Sequence, residues 1–326
     1  MSRDSRVICI INPHSANRTT GKAWPSMARA LQSEGLEFES RITTRPGEAI
    51  EMARQALLDG CRQVVAVGGD GTVHEVVNGF FQNGTLINPR AVLGVIPRGT
   101  GSDLARTLNL PHGLAPLAEM LQTPGCQGWR SIDLGRITYL DHQGDRAERY
   151  FVNLSDVGLG GDTCWRVNSA SKALGGFASF LWGMLASLSN YRNQAVSVVI
   201  DEEEVYRGRA VTVAVANGQY FGGGMRMAPR AVVDDGLFDV VIAKDLSRPD
   251  LLANLYRVYR GTHLTHPKIS WHRGSRVQVR ALEPEHPPLL EVDGEQLGHA
   301  SASYEILPSA LKIMAAAGAS PQPGQD

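Results

Sequence analysis

The 326-residue chain is long enough to bury one large core or two medium ones, and its composition shift near residue 128 favours two domains. Its 32 basic (Lys, Arg) and 33 acidic residues nearly cancel, which excludes a global field for nucleic acid or anionic membranes, so any charged ligand must be bound locally. No nucleic-acid motif is present, so we expect no nucleic-acid partner, and the four cysteines show no CxxC spacing, which favours a reducing cytoplasm.

The first element, RVICII before Asn12 and Pro13, predicts a buried strand and lacks the layout of a signal peptide. We therefore expect a cytoplasmic protein. The apolar segment LGGFASFLWGMLASL (174–188) is shorter than the roughly 20 residues that cross a bilayer. Core packing is one interpretation of this segment, and contact with lipid at the inner membrane surface is the other.

Up to about residue 125, short β-branched runs alternate with helical segments, which predicts a parallel sheet covered by helices. The expected strands are RVICII, LEFESRIT, QVVAV and AVLGVI, and the expected helices are GKAWPSMARALQSEG and PGEAIEMARQALLDG. From residue 129 onward, closely spaced strands joined by turns predict an antiparallel sandwich or barrel-like domain. The expected strands are WRSIDLGRITY, RYFVNLSDVG, QAVSVVID, RAVTVAVAN, DGLFDVVIA, SRVQVRAL and LLEVDGEQL.

The stretch VVAVGGDGTVHEVVNG (64–79) predicts a strand, a glycine turn and a helix, a layout that usually receives phosphate. Gly68, Gly69 and Gly71 lack Cβ atoms and would let phosphate approach the backbone closely. Thr72 and Glu75 fit a capping box that begins the helix, whose N-terminal N–H groups attract anions.

Asp70 places a carboxylate in this turn, where it would repel a phosphate. At about 5 Å and an effective dielectric of about 20, the repulsion is on the order of 3 kcal/mol. A divalent cation between the two groups reverses the sign, so Asp70 beside a phosphate predicts Mg²⁺. The alternative is a turn aspartate that bonds its own backbone. We favour the magnesium interpretation.

Two other glycine-containing loops fail the tests for common phosphate motifs. ANRTTGKA (16–23) has the GK of a Walker A loop, but Ala16 replaces the first glycine and Ala23 the Ser/Thr that binds magnesium. GTGSDL (99–104) follows a strand, but Leu104 replaces the third glycine of a dinucleotide fingerprint. The first loop is therefore not a standard P-loop, and the second argues against a dehydrogenase.

Six motifs occur in a fixed order from about residue 7 to residue 315: INPHSA, GGDGTVHEVVNG, GVIPRGTGSDLARTLNLP, SIDLGR, DDGLFD and EVDGE. Together they resemble the catalytic family of diacylglycerol kinases, in the bacterial branch related to sphingosine and ceramide kinases. GGDGT alone is shared with NAD kinases and phosphofructokinases, so the ordered set carries the resemblance. The resemblance implies transfer of the γ-phosphate of ATP to a lipid hydroxyl, most often that of diacylglycerol.

The resemblance also implies the domain organisation. An α/β nucleotide-binding domain with a parallel sheet, similar to NAD kinase and phosphofructokinase, would comprise residues 1–128 and a returning segment at about 305–318. A β-rich, antiparallel, sandwich-like domain for the lipid substrate would comprise residues 129–304, and residues 319–326 would form a disordered tail. ATP is expected in the cleft between the two domains.

In the family, one set of residues lines ATP, and we carry it over position by position. It consists of Asn12, Pro13, His14, Ser15, Ala16, Thr43, Gly69, Asp70, Gly71, Thr72, Val73, His74, Glu75 and Thr100. Two positions depart from the family pattern. Ala16 replaces a glycine and would narrow the approach of phosphate, and Ser102 replaces an asparagine but can still cap the helix DLARTLN.

The resemblance assigns a structural Mg²⁺ to the DDGLFD turn, held by the carboxylate of Asp235 and the backbone carbonyls of Val232 and Leu237. An ordinary turn between strands is the alternative.

The late motif LLEVDGEQLG contains Asp293 and Gly294, which fit a two-residue hairpin turn. The resemblance makes Glu295 the acceptor of the proton from the lipid hydroxyl. It also implies that Asp133 and Asp293 join Asp70 in a network of magnesium and water.

The sequence leaves several alternatives open. Phosphatidylglycerol, monoacylglycerol and sphingoid lipids are alternative acceptors, and a homodimer is one option for the oligomeric state. An NAD kinase is the closest rival enzyme. A non-catalytic regulator that binds nucleotide or lipid is the rival from another class, because Ala16 and Ser102 depart from the family pattern.

Overall fold

The computed structural model describes residues 6–99, 101–122, 129–169, 182–183, 186–188 and 191–315. The chain divides into two compact units. Unit 1 comprises the residues up to Ile132 and those from Ser309 onward, and unit 2 comprises Asp133–Pro308. Sequence analysis places the corresponding boundaries at 128/129 and 304/305. Thr100, Cys126, most of the apolar segment 174–188 and the tail 319–326 lie outside the described residues.

Unit 1 alternates strands and helices. They are β1 (Val7–Ile11), α1 (Ser15–Arg18), α2 (Thr20–Ser33), β2 (Phe38–Ile42), α3 (Glu48–Leu58), β3 (Gln63–Gly68), α4 (Asp70–Gly79), β4 (Phe81–Gln82), β5 (Thr85–Leu86), β6 (Val92–Pro97), α5 (Asp103–Thr107) and α6 (Leu114–Gln122). The strands pair in parallel in the order β2-β1-β3-β6. Beside β6, Lys312 and Ile313 near the C-terminus add a further parallel pairing.

The strands β1 and β3 form the centre of this sheet because their side chains are apolar on both faces. Every residue of β1 is buried, and so are Val64–Gly68 of β3. Helix α2 packs Trp24, Met27 and Leu31 into the core beside them. Three buried cysteines, Cys9, Cys61 and Cys164, are free thiols within the described chain, in accord with a role as core fillers.

Unit 2 is built mainly from strands. Its elements are β7 (Trp129–Leu140), β8 (Arg146–Phe151), β9 (Leu154–Gly158), α7 (Leu159–Ser169), β10 (Gln194–Ile200), β11 (Glu203–Ala216), β12 (Phe238–Lys244), α8 (Arg248–Arg260), β13 (Ile269–Gly274), β14 (Arg276–Ala281), β15 (Leu289–Val292) and β16 (Glu295–Met314). Within unit 2, the described strand pairs are antiparallel. The start of β7 and the end of β16 belong to unit 1.

Two expectations for unit 2 need correction. The run RYFVNLSDVG, expected as one strand, is divided into β8 and β9 by Val152 and Asn153. Their backbone N–H groups donate to a side chain, Asp293, rather than to a neighbouring strand. The helix α8 and the strand β13 were not predicted. A capping box of Ser247 and Asp250 begins α8, and Gly261 ends it with φ 71°, so a sequence signal for this helix was present.

Gly135 in β7 lies directly opposite Phe151 in β8. A Cβ atom at Gly135 would lie 2.1 Å from the Phe151 ring. We expect Gly135→Ala to lower the free energy of unfolding by about 1–3 kcal/mol, because the ring is fully buried and has no room to move. Urea denaturation measures this loss. With Phe151→Leu in the same chain, the double variant should lose less than the sum of the single losses, and additive losses would contradict the packing described.

Candidate active site

Three loops of unit 1 lie at the carboxyl ends of adjacent parallel strands. Asn12 follows β1, Gly69 follows β3 and Gly99 follows β6. The Asn12 side chain donates from Nδ2 to Thr72 Oγ1 at 3.1 Å, and the Arg98 N–H donates to the Gly68 carbonyl at 2.6 Å. These contacts join the loops at the sheet edge where α/β proteins bind ligands.

The glycines of this cluster have a packing role that the sequence did not reveal. A Cβ atom at Gly99 would lie 2.6 Å from the Cα of Gly69, and a Cβ atom at Gly68 would lie 2.3 Å from Thr72 Oγ1. Gly99 therefore lets its loop pack against the loop that contains Gly69, and Gly68 leaves room for the Thr72 side chain of its own turn. This role applies whether or not a phosphate approaches the same backbone.

The loop after β1 is held by its own polar side chains. Asn12 Oδ1 accepts from the His14 N–H at 3.0 Å, and the Ser15 hydroxyl donates to Thr20 Oγ1 at 2.7 Å. Ala16 has φ 49°, in the left-handed region that favours glycine, so the departure from the family pattern falls where a Cβ is least welcome. Pro13 lies against Gly21, where a Cβ atom would be 2.9 Å from Pro13 Cβ.

Asp70 begins helix α4, and its carboxylate also reaches the next loop. Its Oδ1 accepts from the backbone N–H of Leu104, in the first turn of α5, at 3.2 Å. Ser102, the N-cap residue of α5, makes no side-chain cap and instead donates to the Gly99 carbonyl at 3.3 Å. The expected Ser102 cap is therefore wrong, and Asp70 supplies the acceptor from a different loop.

The capping box predicted for Thr72 and Glu75 is also wrong. Helix α4 begins at Asp70 with Gly69 as its N-cap, three residues earlier than the box requires. The carboxylate of Glu75 accepts from the N–H groups of Gly47 and Ala49 at the start of α3, at 3.0 and 3.1 Å. Glu75 thus caps a neighbouring helix.

The remaining predicted ATP residues of unit 1 fall into two groups. Thr43 is 6% exposed, and both its N–H and its hydroxyl donate to the Ile11 carbonyl, which fixes the end of β2 beside β1. Val73 and His74 are 2% and 1% exposed, so their side chains belong to the core and only the backbone of this turn can face a ligand. Gly71, in the first turn of α4, is partly exposed.

In unit 2, the hairpin expected at Asp293 and Gly294 is confirmed. Val292 pairs with Glu295, and the two turn residues have φ 47° and 86°, as a tight hairpin with two left-handed residues requires. Glu291 is fully buried, and its Oε2 accepts from the Gly294 N–H at 2.7 Å. The carboxylate of Glu291 therefore fixes the turn that precedes Glu295.

Asp293 anchors this hairpin to the break between β8 and β9. Its two carboxylate oxygens accept from the N–H groups of Val152, Asn153 and Leu154 at 3.0, 3.0 and 3.2 Å. Charge-assisted hydrogen bonds of this kind are among the strong ones. The structure thus uses Asp293 to position the hairpin that carries Glu295.

Asp133 has a similar role at the DDGLFD turn. Its Oδ2 accepts from the Gly236 N–H at 2.7 Å, and its own N–H donates to the Val233 carbonyl at 2.7 Å. Asn217, which sequence analysis missed, donates from Nδ2 to the carbonyls of Asp133 and Val152, both at 2.9 Å. Asn217 therefore links the β7 segment to the break that Asp293 caps.

A separate apolar pocket lies within unit 2. Residues of α7, β11, β12 and α8 line it, among them Leu159, Val211, Val241 and Leu255. The buried carboxyl of Asp156 is at its wall. Burial raises the pKa of Asp156 to about 6, although the hydroxyl of Thr212 and the N–H of Gly160 donate to it.

Comparisons with known proteins identify the family. Residues 6–137 match the diacylglycerol kinase catalytic domain, and residues 156–315 match the YegS C-terminal NAD kinase beta sandwich-like domain. A diacylglycerol kinase of Bacillus subtilis (strain 168) is 30% identical over 294 residues, which cover 90% of each chain.

The chain belongs to the diacylglycerol kinase family. The resemblance carried by the six motifs is thereby confirmed, and the chain is a lipid kinase, an enzyme that transfers phosphate from ATP to a lipid hydroxyl. A diacylglycerol kinase of Staphylococcus carnosus (strain TM300) is 27% identical over 310 residues, 94% of each chain.

A crystal structure of a diacylglycerol kinase from Bacillus anthracis str. Sterne has the same fold as this family member. It matches with a TM-score of 0.68 at 21% identity and covers 97% of this chain and 98% of its own. The match of unit 2 to a sandwich-like domain confirms the β-rich second domain expected from the sequence.

The structural Mg²⁺ that the family resemblance assigns to Asp235, Val232 and Leu237 does not fit the residues around Asp235. Asp235 Oδ1 accepts from the Leu237 N–H at 3.1 Å, and its Oδ2 is paired with the guanidinium of Arg273. A divalent cation on that oxygen would lie against the positive charge of Arg273, which Coulomb repulsion disfavours. The carboxylate therefore already has a cation beside it.

Strand register fixes this arginine in place. Arg273 in β13 lies directly opposite Asp239 in β12, and its Nε is 3.6 Å from Asp239 Oδ2. Asp239 is fully buried, and burial raises its pKa, while the indole N–H of Trp271 donates to it. The Arg273 guanidinium thus lies beside both carboxylates. It supplies at Asp235 the positive charge that the Mg²⁺ ion was expected to supply.

We expect the melting temperature of the apo kinase to be the same in EDTA and in Mg²⁺, because Arg273 supplies the positive charge at Asp235. Arg273→Met should lower the free energy of unfolding by about 1–3 kcal/mol, and Mg²⁺ should then restore part of it. Arg276→Met, which removes an exposed arginine from β14, the next strand along the chain, is the control. A wild-type melting temperature that falls in EDTA would contradict this assignment.

Proposed function

We propose that this lipid kinase transfers the γ-phosphate of ATP to the hydroxyl of diacylglycerol and produces phosphatidic acid. The acceptor is supported by the two relatives at 27% and 30% identity, both named diacylglycerol kinase. The observation that carries the proposal is the hairpin turn Asp293–Gly294–Glu295, which we call the DGE hairpin. The carboxylates of Asp293 and Glu291 accept hydrogen bonds from backbone N–H groups and so hold the turn directly before Glu295.

In this proposal, unit 1 is the ATP-binding domain, similar to NAD kinase and phosphofructokinase. The loops after β1, β3 and β6 present backbone groups and the side chains of Asn12 and Ser15 to the nucleotide, and the buried Thr72 hydroxyl holds Asn12 in place. Thr100, outside the described residues, is a further proposed contact. Mg²⁺ bound with ATP would neutralise charge on the phosphate oxygens, with Asp70 as its protein ligand. Among the described residues no three acidic, histidine or cysteine side chains form a metal cluster, and Mg²⁺ with phosphate and water ligands does not require one.

The chemical step is an in-line displacement. The lipid hydroxyl oxygen forms a bond to the γ-phosphorus while the bond from that phosphorus to the bridging oxygen of ADP breaks. Glu295 accepts the hydroxyl proton, and its partly buried carboxylate is aimed by the rigid hairpin. Asp133 and Asp293 act as positioning residues, because the hydrogen bonds described for them go to backbone N–H groups.

The apolar pocket of unit 2 is the proposed site for the acyl chains. Its lining is largely aliphatic, as in sites that bind apolar ligands. Trp182, in the apolar segment of the sequence, is 65% exposed and is a proposed point of peripheral contact with the cytoplasmic face of the membrane. No helix of the described residues is both long and apolar enough to cross a bilayer.

Phosphatidylglycerol, monoacylglycerol and sphingoid lipids are the alternative acceptors, and transfer of labelled phosphate to a total lipid extract distinguishes them. Incubation with ATP and NAD tests for an NAD kinase. ATP binding without ADP release on any lipid would support a non-catalytic regulator. The homodimer and the lack of a nucleic-acid partner stay predictions.

Glu295→Gln should lower kcat by about 10²–10⁴, the range for a positioned acid–base group, and leave the KM for ATP nearly unchanged. A coupled assay of ADP release with diacylglycerol measures both constants. Glu203→Gln, an exposed change on the same unit, is the control. Near-wild-type turnover of Glu295→Gln would remove Glu295 from the proton transfer.

Asp70→Asn should abolish Mg²⁺-dependent turnover while the melting temperature changes little. The amide oxygen can still accept from the Leu104 N–H, whereas the negative charge that would bind the cation is lost. Asp59→Asn, exposed in the same unit, controls for a general charge effect. An Asp70→Asn enzyme with the wild-type rate would show that the charge is not needed and that Asp70 is only a cap for α5.

A further inference from the structure

Helix α8 has a regular exposed face, whose four residues we call the α8 stripe: Arg248, Leu252, Tyr256 and Arg260. They recur at every fourth position and therefore lie along one side of the helix. All four are exposed, Leu252 by 53% and Tyr256 by 56%. The guanidinium of Arg260 lies 6.0 Å from the centre of the Tyr256 ring.

The opposite face of α8 lines the apolar pocket through Leu251, Leu255 and Val258. None of the residues of α8 is fully buried, even on this face. Helices on the surface of a globular protein normally bury one stripe against the core. The inner face of α8 lies over the pocket and is incompletely packed, and its outer face exposes Leu252 and Tyr256 to solvent.

Local interactions explain why the helix forms but not why its outer face is apolar. The Ser247–Asp250 capping box, Pro249 in the first turn and the left-handed Gly261 at the end define its limits without tertiary burial. A single exposed leucine or tyrosine is ordinary. Leu252 and Tyr256 lie four residues apart between two arginines, on a helix whose other face lines the apolar pocket, and so form a patterned surface.

We propose that the α8 stripe docks on an anionic lipid bilayer. This inference rests on the proposed function, because it places the wall of the acyl-chain pocket at the membrane that contains the substrate. Leu252 and Tyr256 would sink to the boundary between headgroups and acyl chains, and Arg248 and Arg260 would contact lipid phosphates on either side. The stripe itself contains no acidic residue, so its charge is complementary to that of such a surface.

The first experiment measures flotation of the full chain with equimolar phosphatidylglycerol–phosphatidylcholine vesicles and with pure phosphatidylcholine vesicles. We expect binding to the mixed vesicles, and we expect Leu252→Ser/Tyr256→Ser to lower the partition coefficient by about tenfold or more. Arg260→Gln should lower it by about fivefold, the contribution of one cation near an anionic surface. Arg248→Gln is secondary, because Arg248 also donates to the Tyr191 carbonyl.

The control variants carry the same changes elsewhere on unit 2. Leu140→Ser/Leu282→Ser replaces two leucines that are 44% and 37% exposed, and Arg276→Gln/Arg280→Gln removes two exposed arginines. These controls should bind vesicles as the wild type does. Equal binding by the wild type, the α8 variants and the controls would overturn the docking role of α8. Melting temperatures close to that of the wild type show that the α8 variants are folded.

The second experiment separates docking from catalysis. The α8 variants should lose activity on long-chain diacylglycerol in vesicles but keep wild-type activity on short-chain diacylglycerol in detergent micelles. An equal loss on both substrates would overturn the inference, because it would show a defect in the kinase itself. If the wild type phosphorylates neither substrate, the proposed function fails, and flotation still decides whether α8 binds the membrane.

Discussion

Carboxylates that accept hydrogen bonds from backbone N–H groups hold both parts of the candidate site in place. Asp293 accepts three such bonds, Glu75 two, and Asp70, Asp133 and Glu291 at least one each. A buried carboxylate is costly unless donors surround it, and loops at strand ends have backbone N–H groups that need acceptors. Each pairing satisfies both requirements at once. The chain therefore uses acidic residues to fix the geometry of loops that a kinase must keep rigid.

This arrangement changes how the acidic residues divide the catalytic work. Phosphoryl transfer depends mainly on alignment and on neutralisation of charge, so an acid that fixes a loop can contribute to the rate without contact with the substrate. The DGE hairpin separates the two roles along a few residues. Glu291 and Asp293 fix the turn, and Glu295 follows it as the proposed base. A tight hairpin with two left-handed residues restricts the backbone that carries Glu295.

The proposed lipid site is argued from packing rather than from charge. Unit 2 has a well-filled sandwich core that contains Phe151, Phe238 and Tyr304, and it also has an apolar pocket that its own side chains leave open. Protein interiors are normally close-packed, so an open apolar volume lined by aliphatic residues is suited to an apolar ligand. The helix α8 forms one wall of that volume. A substrate that resides in a membrane would account for an apolar face on both sides of this helix.

The sequence by itself determined the family, the alternation of strands and helices in unit 1, the strand-rich unit 2 and the D-G hairpin before Glu295. These features follow from local periodicity, turn chemistry and motif order, which are readable along the chain. Only the tertiary structure decided that Glu75 caps α3, that Asp70 caps α5, that Arg273 lies beside Asp235 and that α8 walls a pocket. In each case the partner is distant in sequence. A carboxylate that accepts a hydrogen bond from a backbone N–H group cannot be told, from the sequence alone, from one that binds a metal ion.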